Sequence, residues 1–133
     1  MIRMSAADYQ RLAAPVRNSM GAVMALGRLP KNMMNKTEIA YAAHLEEGKA
    51  AGEILWWAFE PWKLRLAENT FLTPDFGVMR FDGSIECHEV KGFWMEDARV
   101  KIKVAASKHP FRFLAVKVRP KREGGGWTVE EFS

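Results

Sequence analysis

The sequence predicts one α/β domain in which helices flank a mixed central sheet. Two stretches, beginning near residues 35 and 95, place apolar residues at helical spacing. Short apolar or alternating runs, which have the period of strands, lie between these stretches and after the second one. An order of helix, several strands including a hairpin, helix and strand is typical of an α/β domain.

The composition is that of an ordinary soluble domain. The chain has 133 residues, of which 48% are hydrophobic and 27% charged, enough for one core but not for two. A net charge of +4 suits a polyanionic partner. Cys87, the single cysteine, excludes an intrachain disulfide and a cysteine-built zinc site. Because no apolar run approaches the ~20 residues of a membrane span and no signal peptide is present, we expect a cytoplasmic protein without membrane contact.

Residues 1–34 are predicted to form an N-terminal appendage to a main domain at 35–133. Ser5 and Asp8 resemble a helix-capping pattern, and Pro15 ends the short helix that they open. The stretch that follows is rich in methionine and contains glycines and a proline. Two interpretations of the appendage stay open: a solvated tail, or a basic arm that contacts nucleic acid or a second subunit.

The first firm helix is predicted to begin at Asn35, which is a good N-cap residue. Glu38 stands three residues later, where a capping-box acid would lie. The same residue also lies on the apolar helical face, with Tyr41, Ala42 and Leu45. We prefer the interpretation in which Glu38 faces the protein as a third carboxylate of a functional site.

Strands are predicted on both sides of Pro61. Residues 53–60 are apolar on both faces, as in a central strand, and residues 62–67 alternate, as in a half-exposed strand. The tryptophans at these positions are expected to belong to the core. Further strands are expected at 111–118 and, as a short edge strand, at 127–132.

The second helix is predicted at 95–108. Its buried stripe is expected to contain Met95, Ala98, Ile102 and Ala105. Basic residues occupy the remaining surface, among them Arg99, Lys101 and Lys103. These side chains are predicted either to contact phosphates or to form a solvated face.

A hairpin at residues 73–92 has two possible registers, and only one of them builds a site. A two-residue loop, Asp82 and Gly83, would place Asp75 and Glu89 on opposite faces of the sheet. A three-residue loop that also includes Phe81 would place Asp75 opposite Glu89, with Gly83 at the left-handed position that favours glycine. We favour the three-residue loop.

In this register, Lys91 falls on the same face as Glu89, because it lies two positions later in the strand. His88 alternates to the other face and is assigned no role in the site. Glu86 also points away from Glu89 and is expected to be solvated or paired. Cys87 is expected to be a small buried residue.

Asp75, Glu89 and Lys91 suit phosphodiester hydrolysis. This reaction needs a hydroxide and neutralisation of the charge around phosphorus, and Mg²⁺ supplies both with few carboxylate ligands. Asp75 and Glu89 would be two ligands, and the Val90 backbone carbonyl a third. Lys91 would orient or deprotonate the attacking water and stabilise developing negative charge.

The same residues resemble the PD-(D/E)XK nuclease superfamily, in which a Pro-Asp pair precedes an acid-x-lysine pattern across a hairpin. The resemblance extends to a family of small phage and prophage proteins of that superfamily and covers about residues 35–127. It rests on Asn35-Lys36-Thr37-Glu38, Thr73-Pro74-Asp75-Phe76, Asp82-Gly83, His88-Glu89-Val90-Lys91-Gly92 and Asp97-Ala98 with Lys101 and Lys103. One departure is Leu72, where the family often has an aromatic residue.

The resemblance implies a restriction-endonuclease-like αβββαβ core and Mg²⁺-dependent DNA cleavage, with Mn²⁺ as a substitute ion and often a homodimer. It implies Asp75 and Glu89 as metal ligands, Lys91 as the catalytic lysine, and Glu38 as the first-helix acid with possible metal contact. Candidate nucleic-acid contacts are Lys36, Arg99, Lys101 and Lys103. A structure-specific activity on branched DNA, as in phage recombination and Holliday-junction cleavage in a host cytoplasm, is the narrower expectation. A nuclease fold that binds nucleic acid without cleavage, and an RNA-directed nuclease, are the alternatives.

Overall fold

The structure is a computed structural model that describes residues 33–92 and 95–132. Contacts divide the chain into two compact units, Met1–Asn35 and Lys36–Ser133. The predicted appendage at 1–34 lies almost entirely outside the described residues. Within the second unit the elements are α1 (Lys36–Ala50), β1 (Ile54–Phe59), β2 (Leu64–Ala67), β3 (Thr70–Leu72), β4 (Phe76–Arg80), β5 (Ile85–Lys91), α2 (Glu96–Lys108), β6 (Arg112–Val118), a 3₁₀ turn (Lys121–Glu123) and β7 (Trp127–Phe132).

Five of the strands form one mixed sheet in the order β1-β4-β5-β6-β7. The β5–β6 pair is parallel, and the other three pairs are antiparallel. A parallel pair needs a crossover between its strands, and α2 provides it. The sequence-based prediction of an α/β domain with a mixed sheet is therefore confirmed.

The two helices pack against opposite faces of this sheet. Tyr41 of α1 contacts His88 of β5, whereas Ile102 of α2 belongs to the same core cluster as Cys87. His88 and Cys87 are neighbours in one strand, so their side chains point to opposite faces. The small β2–β3 hairpin lies on the α2 side, where Leu64, Leu66 and Leu72 join that cluster. None of the helices within the described ranges is long and apolar enough to cross a membrane.

Two expectations about these elements are wrong. The strand at 53–60 was expected in the centre of the sheet because it is apolar on both faces, but β1 lies at the edge. Leu55 is 53% exposed there, and Trp56 stacks on Trp62 with 6.1 Å between ring centroids. Aromatic side chains rather than a second neighbouring strand therefore account for the apolar pattern.

The stripe of the second helix was expected to begin at Met95, which instead precedes α2 and is 55% exposed. Ile102 and Ala105 are buried as predicted. The buried residues of the helix thus lie in its later turns, whereas Ala98 of the predicted stripe, in the first turn, is half-buried. The edge position predicted for the strand at 127–132 is confirmed, since β7 lies at the end of the sheet.

Candidate active site

The hairpin that joins β4 to β5 has the three-residue loop predicted from its glycine. Gly83 has φ +88, and the Arg80 N–H donates to the Ser84 carbonyl at 2.9 Å. The paired residues run from Met79 and Ile85 at the turn to Phe76 and His88 at the far end. One further step along this register places Asp75 opposite Glu89.

Hydrogen bonds join Asp75 to the strand that contains Glu89. The Asp75 N–H donates to Glu89 Oε1 at 3.0 Å, and the Val90 N–H donates to Asp75 Oδ2 at 2.8 Å. Lys91 Nζ lies 3.8 Å from Glu89 Oε2, and its side chain is 41% exposed. Two acids, one buried and one half-buried, thus lie beside a lysine that solvent can reach.

The two carboxyl groups have raised pKa values. The pKa of Glu89 is raised to about 8, first by burial and then by the negative charge of Asp75, while the charge of Lys91 opposes both. Burial likewise raises the pKa of Asp75 to about 6, against the charge of Lys91 and the hydrogen bond from Val90. Such a pair is most stable with a proton or a cation between the carboxylates.

Glu38 lies on the buried face of α1, together with the three apolar residues predicted to share that face. Its charge raises the pKa of both Asp75 and Glu89, so it acts on the pair from the first turn of the helix. In the described parts of the chain, however, no three side chains of the Asp, Glu, His or Cys type are placed to hold a metal ion together. Glu38 therefore acts on the pair through its charge.

The donor set at the pair still fits Mg²⁺. This ion keeps several water ligands and needs only one or two carboxylates from the protein. Asp75 and Glu89 provide two, and because burial and then the charges of neighbouring acids raise both pKa values, an added positive charge would stabilise the ionised pair. The Val90 carbonyl points to the same side of β5 as the Val90 N–H that binds Asp75, because both groups of one strand residue share a side.

Sequence reasoning missed Glu60, a further acid beside the pair. Its N–H donates to the Asp75 carbonyl at 2.8 Å, and its negative charge raises the pKa of Asp75. Glu60 has φ +46, a region that residues other than glycine rarely adopt. The sequence signal was an acid directly before Pro61 at the end of a strand, but its position depends on the pairing of β1 with β4, which the sequence does not reveal.

On the opposite face of the hairpin, a buried polar chain supports the site. The Tyr41 hydroxyl lies 2.6 Å from His88 Nδ1, and His88 Nε2 lies 2.9 Å from Glu86 Oε1. Arg112 Nη1 donates to Glu86 Oε2 at 2.7 Å. His88 and Glu86 point away from Glu89, as predicted, and Glu86 is paired and buried. This series of hydrogen bonds links α1, β5 and β6 on the face of β5 opposite to Glu89 and Lys91.

The predicted nucleic-acid contacts lie on two different faces. Lys36 is exposed at the start of α1, whereas Lys101 and Lys103 are exposed on α2, across the sheet. Arg99 donates two hydrogen bonds to Glu130 at 2.8 and 2.9 Å. Its guanidinium group is therefore engaged within the protein.

The chemistry available at the site follows from these residue types. Two crowded carboxylates bind a hard cation, and a half-exposed ammonium group attracts an anion to the same point. The site is thus suited to a substrate that is itself an anion, such as a phosphodiester. Comparison with protein-family models, with curated proteins and with solved structures finds no match to this chain.

Proposed function

We propose that this protein is a divalent-metal-dependent DNA endonuclease of the PD-(D/E)XK type. The observation that supports this most strongly is the hairpin register, which sets Asp75 opposite Glu89 with Lys91 on the same face. A chance pattern of two acids and a lysine would have no reason to meet at one point. The bonds from Asp75 N–H to Glu89 and from Val90 N–H to Asp75 hold the arrangement in place.

The topology supports the same proposal. Without the β2–β3 hairpin and the edge strand β7, the elements follow the order α1, β1, β4, β5, α2, β6. This αβββαβ order is the one that the sequence resemblance implies. Since one fold hosts many functions, the order adds support only in combination with the site residues.

Each residue has a distinct role in the proposed reaction. Asp75, Glu89 and the Val90 carbonyl would hold Mg²⁺. The ion would neutralise charge and lower the pKa of a bound water. Lys91 would donate hydrogen bonds to the scissile phosphate and stabilise the negative charge that develops on it. Glu38 would add negative charge that favours a cation at the site.

Cleavage of DNA by the full chain tests the proposal. Linear, flapped and four-way-junction DNA would be incubated with the protein in Mg²⁺, in Mn²⁺ and in EDTA. We expect metal-dependent nicks or breaks, with branched DNA preferred over linear duplex. Binding without cleavage in either metal would instead support an inactive nuclease fold, and cleavage confined to RNA would support the RNA-directed alternative.

Sedimentation of the protein with and without DNA would test the proposed homodimer.

A further inference from the structure

A broad groove lies between α1 and the outer strands β6 and β7, on the face of the sheet that α1 covers. Its volume is about 780 Å³, which is in the range of ligand-binding clefts, ~300–1,000 Å³. Apolar side chains line its floor, namely Val118, Trp127 and Val129. Cationic side chains stand around it, namely Lys36, Arg119 and Lys121, against a single acid, Glu47.

The floor of the groove is an exposed apolar surface. Val129 is 58% exposed and Val118 38% exposed. Trp127 is half-buried, because the Tyr41 ring meets it edge to face, with 5.0 Å between ring centroids. This contact fixes the indole in place and leaves part of its surface open to the groove.

The groove floor lies on the face of the sheet opposite to Glu89 and Lys91, and the groove and the candidate active site meet at one edge of the sheet. Lys36, on its rim, stands two residues before Glu38. At the other wall, Lys117 pairs in register with Lys91, and Val118 of the groove floor follows it directly. Because β5 and β6 are parallel, their last residues lie at the same edge of the sheet. A strand bound in the groove would therefore reach that edge.

We propose that this groove binds an unpaired single strand of the DNA substrate, which passes over the shared edge of the sheet to the cleavage position. A fixed aromatic ring with an apolar floor offers stacking to exposed bases, and the basic rim neutralises the phosphates between them. Duplex DNA would present only its backbone to this floor, since its bases are already stacked. The proposal rests on the proposed nuclease function and refines its substrate to DNA with a single-stranded tail or flap.

Binding of a fluorescein-labelled 15-nucleotide deoxythymidine strand, followed by fluorescence anisotropy in EDTA, tests the groove without any cleavage. Trp127→Ala is expected to weaken binding roughly 5- to 150-fold, whereas Trp127→Phe, which keeps an aromatic ring, is expected to lose far less. Lys121→Ala and Arg119→Ala are expected each to reduce the slope of log K against log salt by about 0.7. Lys49→Ala, an exposed residue of the last turn of α1, is the control expected to bind as wild type.

Several outcomes would overturn the inference: equal binding by wild type and Trp127→Ala, an unchanged salt slope in both rim variants, or tighter binding of duplex or RNA of the same length. Thermal unfolding of each variant shows whether a loss of binding reflects a loss of folding, and Trp127→Phe retains the packing on Tyr41. Groove-dependent binding by a protein that cuts no DNA would overturn the nuclease proposal alone. If the wild-type protein cuts DNA and none of the groove variants changes the rate of cleavage, the proposed role of the groove is overturned and the nuclease proposal is not.

Discussion

Replacing Glu89 by glutamine is expected to reduce Mg²⁺-dependent cleavage by on the order of 10³-fold or more, and to stabilise the folded protein at pH 8 and above. Glutamine keeps an oxygen that accepts the Asp75 N–H but cannot provide a negative charge to a metal ion. The same substitution removes the buried charge that Asp75 repels. Loss of activity together with a gain of stability is typical of a residue kept for function rather than for folding.

The sign of the stability effect follows from the pKa of Glu89. Burial, followed by the charge of Asp75, raises this pKa to about 8 from an ordinary 4.5. Between these values the folded state binds more protons than the unfolded state, so wild-type stability falls as pH rises from about 4.5 to 8. Glu89→Gln lacks this contribution, and its advantage over wild type should therefore grow across that range.

Thermal unfolding at pH 5, 7 and 9 measures this difference, and DNA cleavage at pH 8 measures the activity. Glu68→Gln, at an exposed acid between β2 and β3, is the control for removing one negative charge and should change neither quantity. A Glu89→Gln variant with a lower unfolding temperature than wild type at pH 9, or one that cuts DNA at the wild-type rate, would contradict the description of the site.

Replacing Phe76 by alanine is expected to cost about 3–5 kcal/mol of unfolding free energy, the largest effect on stability predicted for this chain. Phe76 is fully buried directly after Asp75. Its ring packs against three others, with centroid distances of 5.4 Å to Tyr41, 5.4 Å to Phe59 and 5.8 Å to Trp57. Its removal would leave a cavity between α1, β1 and β4, at the point where the helix and the strands position the site.

Urea-induced unfolding at 25 °C measures this loss, which would be a large share of the ~5–15 kcal/mol typical of a domain. Phe81 is the matched control, because it belongs to the same hairpin but is 65% exposed. Phe81→Ala should change stability by no more than about 0.5 kcal/mol. A cost below about 1 kcal/mol at Phe76, or equal costs at the two positions, would show that this aromatic cluster does not hold α1 to the sheet.

Local turn chemistry left two loops open for the central hairpin, and the three-residue loop was preferred because glycine suits its last position and because only that register brings the two acids together. Gly83 favoured a three-residue loop, and the alternation of side chains then brought Asp75 and Glu89 together. The burial of Glu38 also followed from local spacing, because residues three, four and seven positions apart share a helical face. Both predictions depend on neighbours in sequence.

Pairings between distant segments could not be predicted in the same way. Strands β1 and β4 pair although the β2–β3 hairpin lies between them in sequence. This pairing places β1 at the sheet edge and brings Glu60 close to Asp75. The burial of Glu86 depends on Arg112 from β6 and His88 from its own strand. Arg99 was predicted to contact phosphate because it lies on a basic helix that follows the site. Its pairing with Glu130, 31 residues away, could not be predicted from local spacing.

The rate of DNA cleavage by Lys91→Ala under single-turnover conditions in Mg²⁺ tests the central claim most directly. Lys91 Nζ lies beside Glu89 with its side chain 41% exposed, so its removal should leave the fold intact and remove the charge that would face the phosphate in the proposed reaction. We predict a rate at least ~10²–10³-fold below wild type, with Lys49→Ala within a few-fold of wild type. Cleavage by Lys91→Ala at the wild-type rate, or no cleavage by the wild-type protein in either Mg²⁺ or Mn²⁺, would contradict the proposed catalytic site.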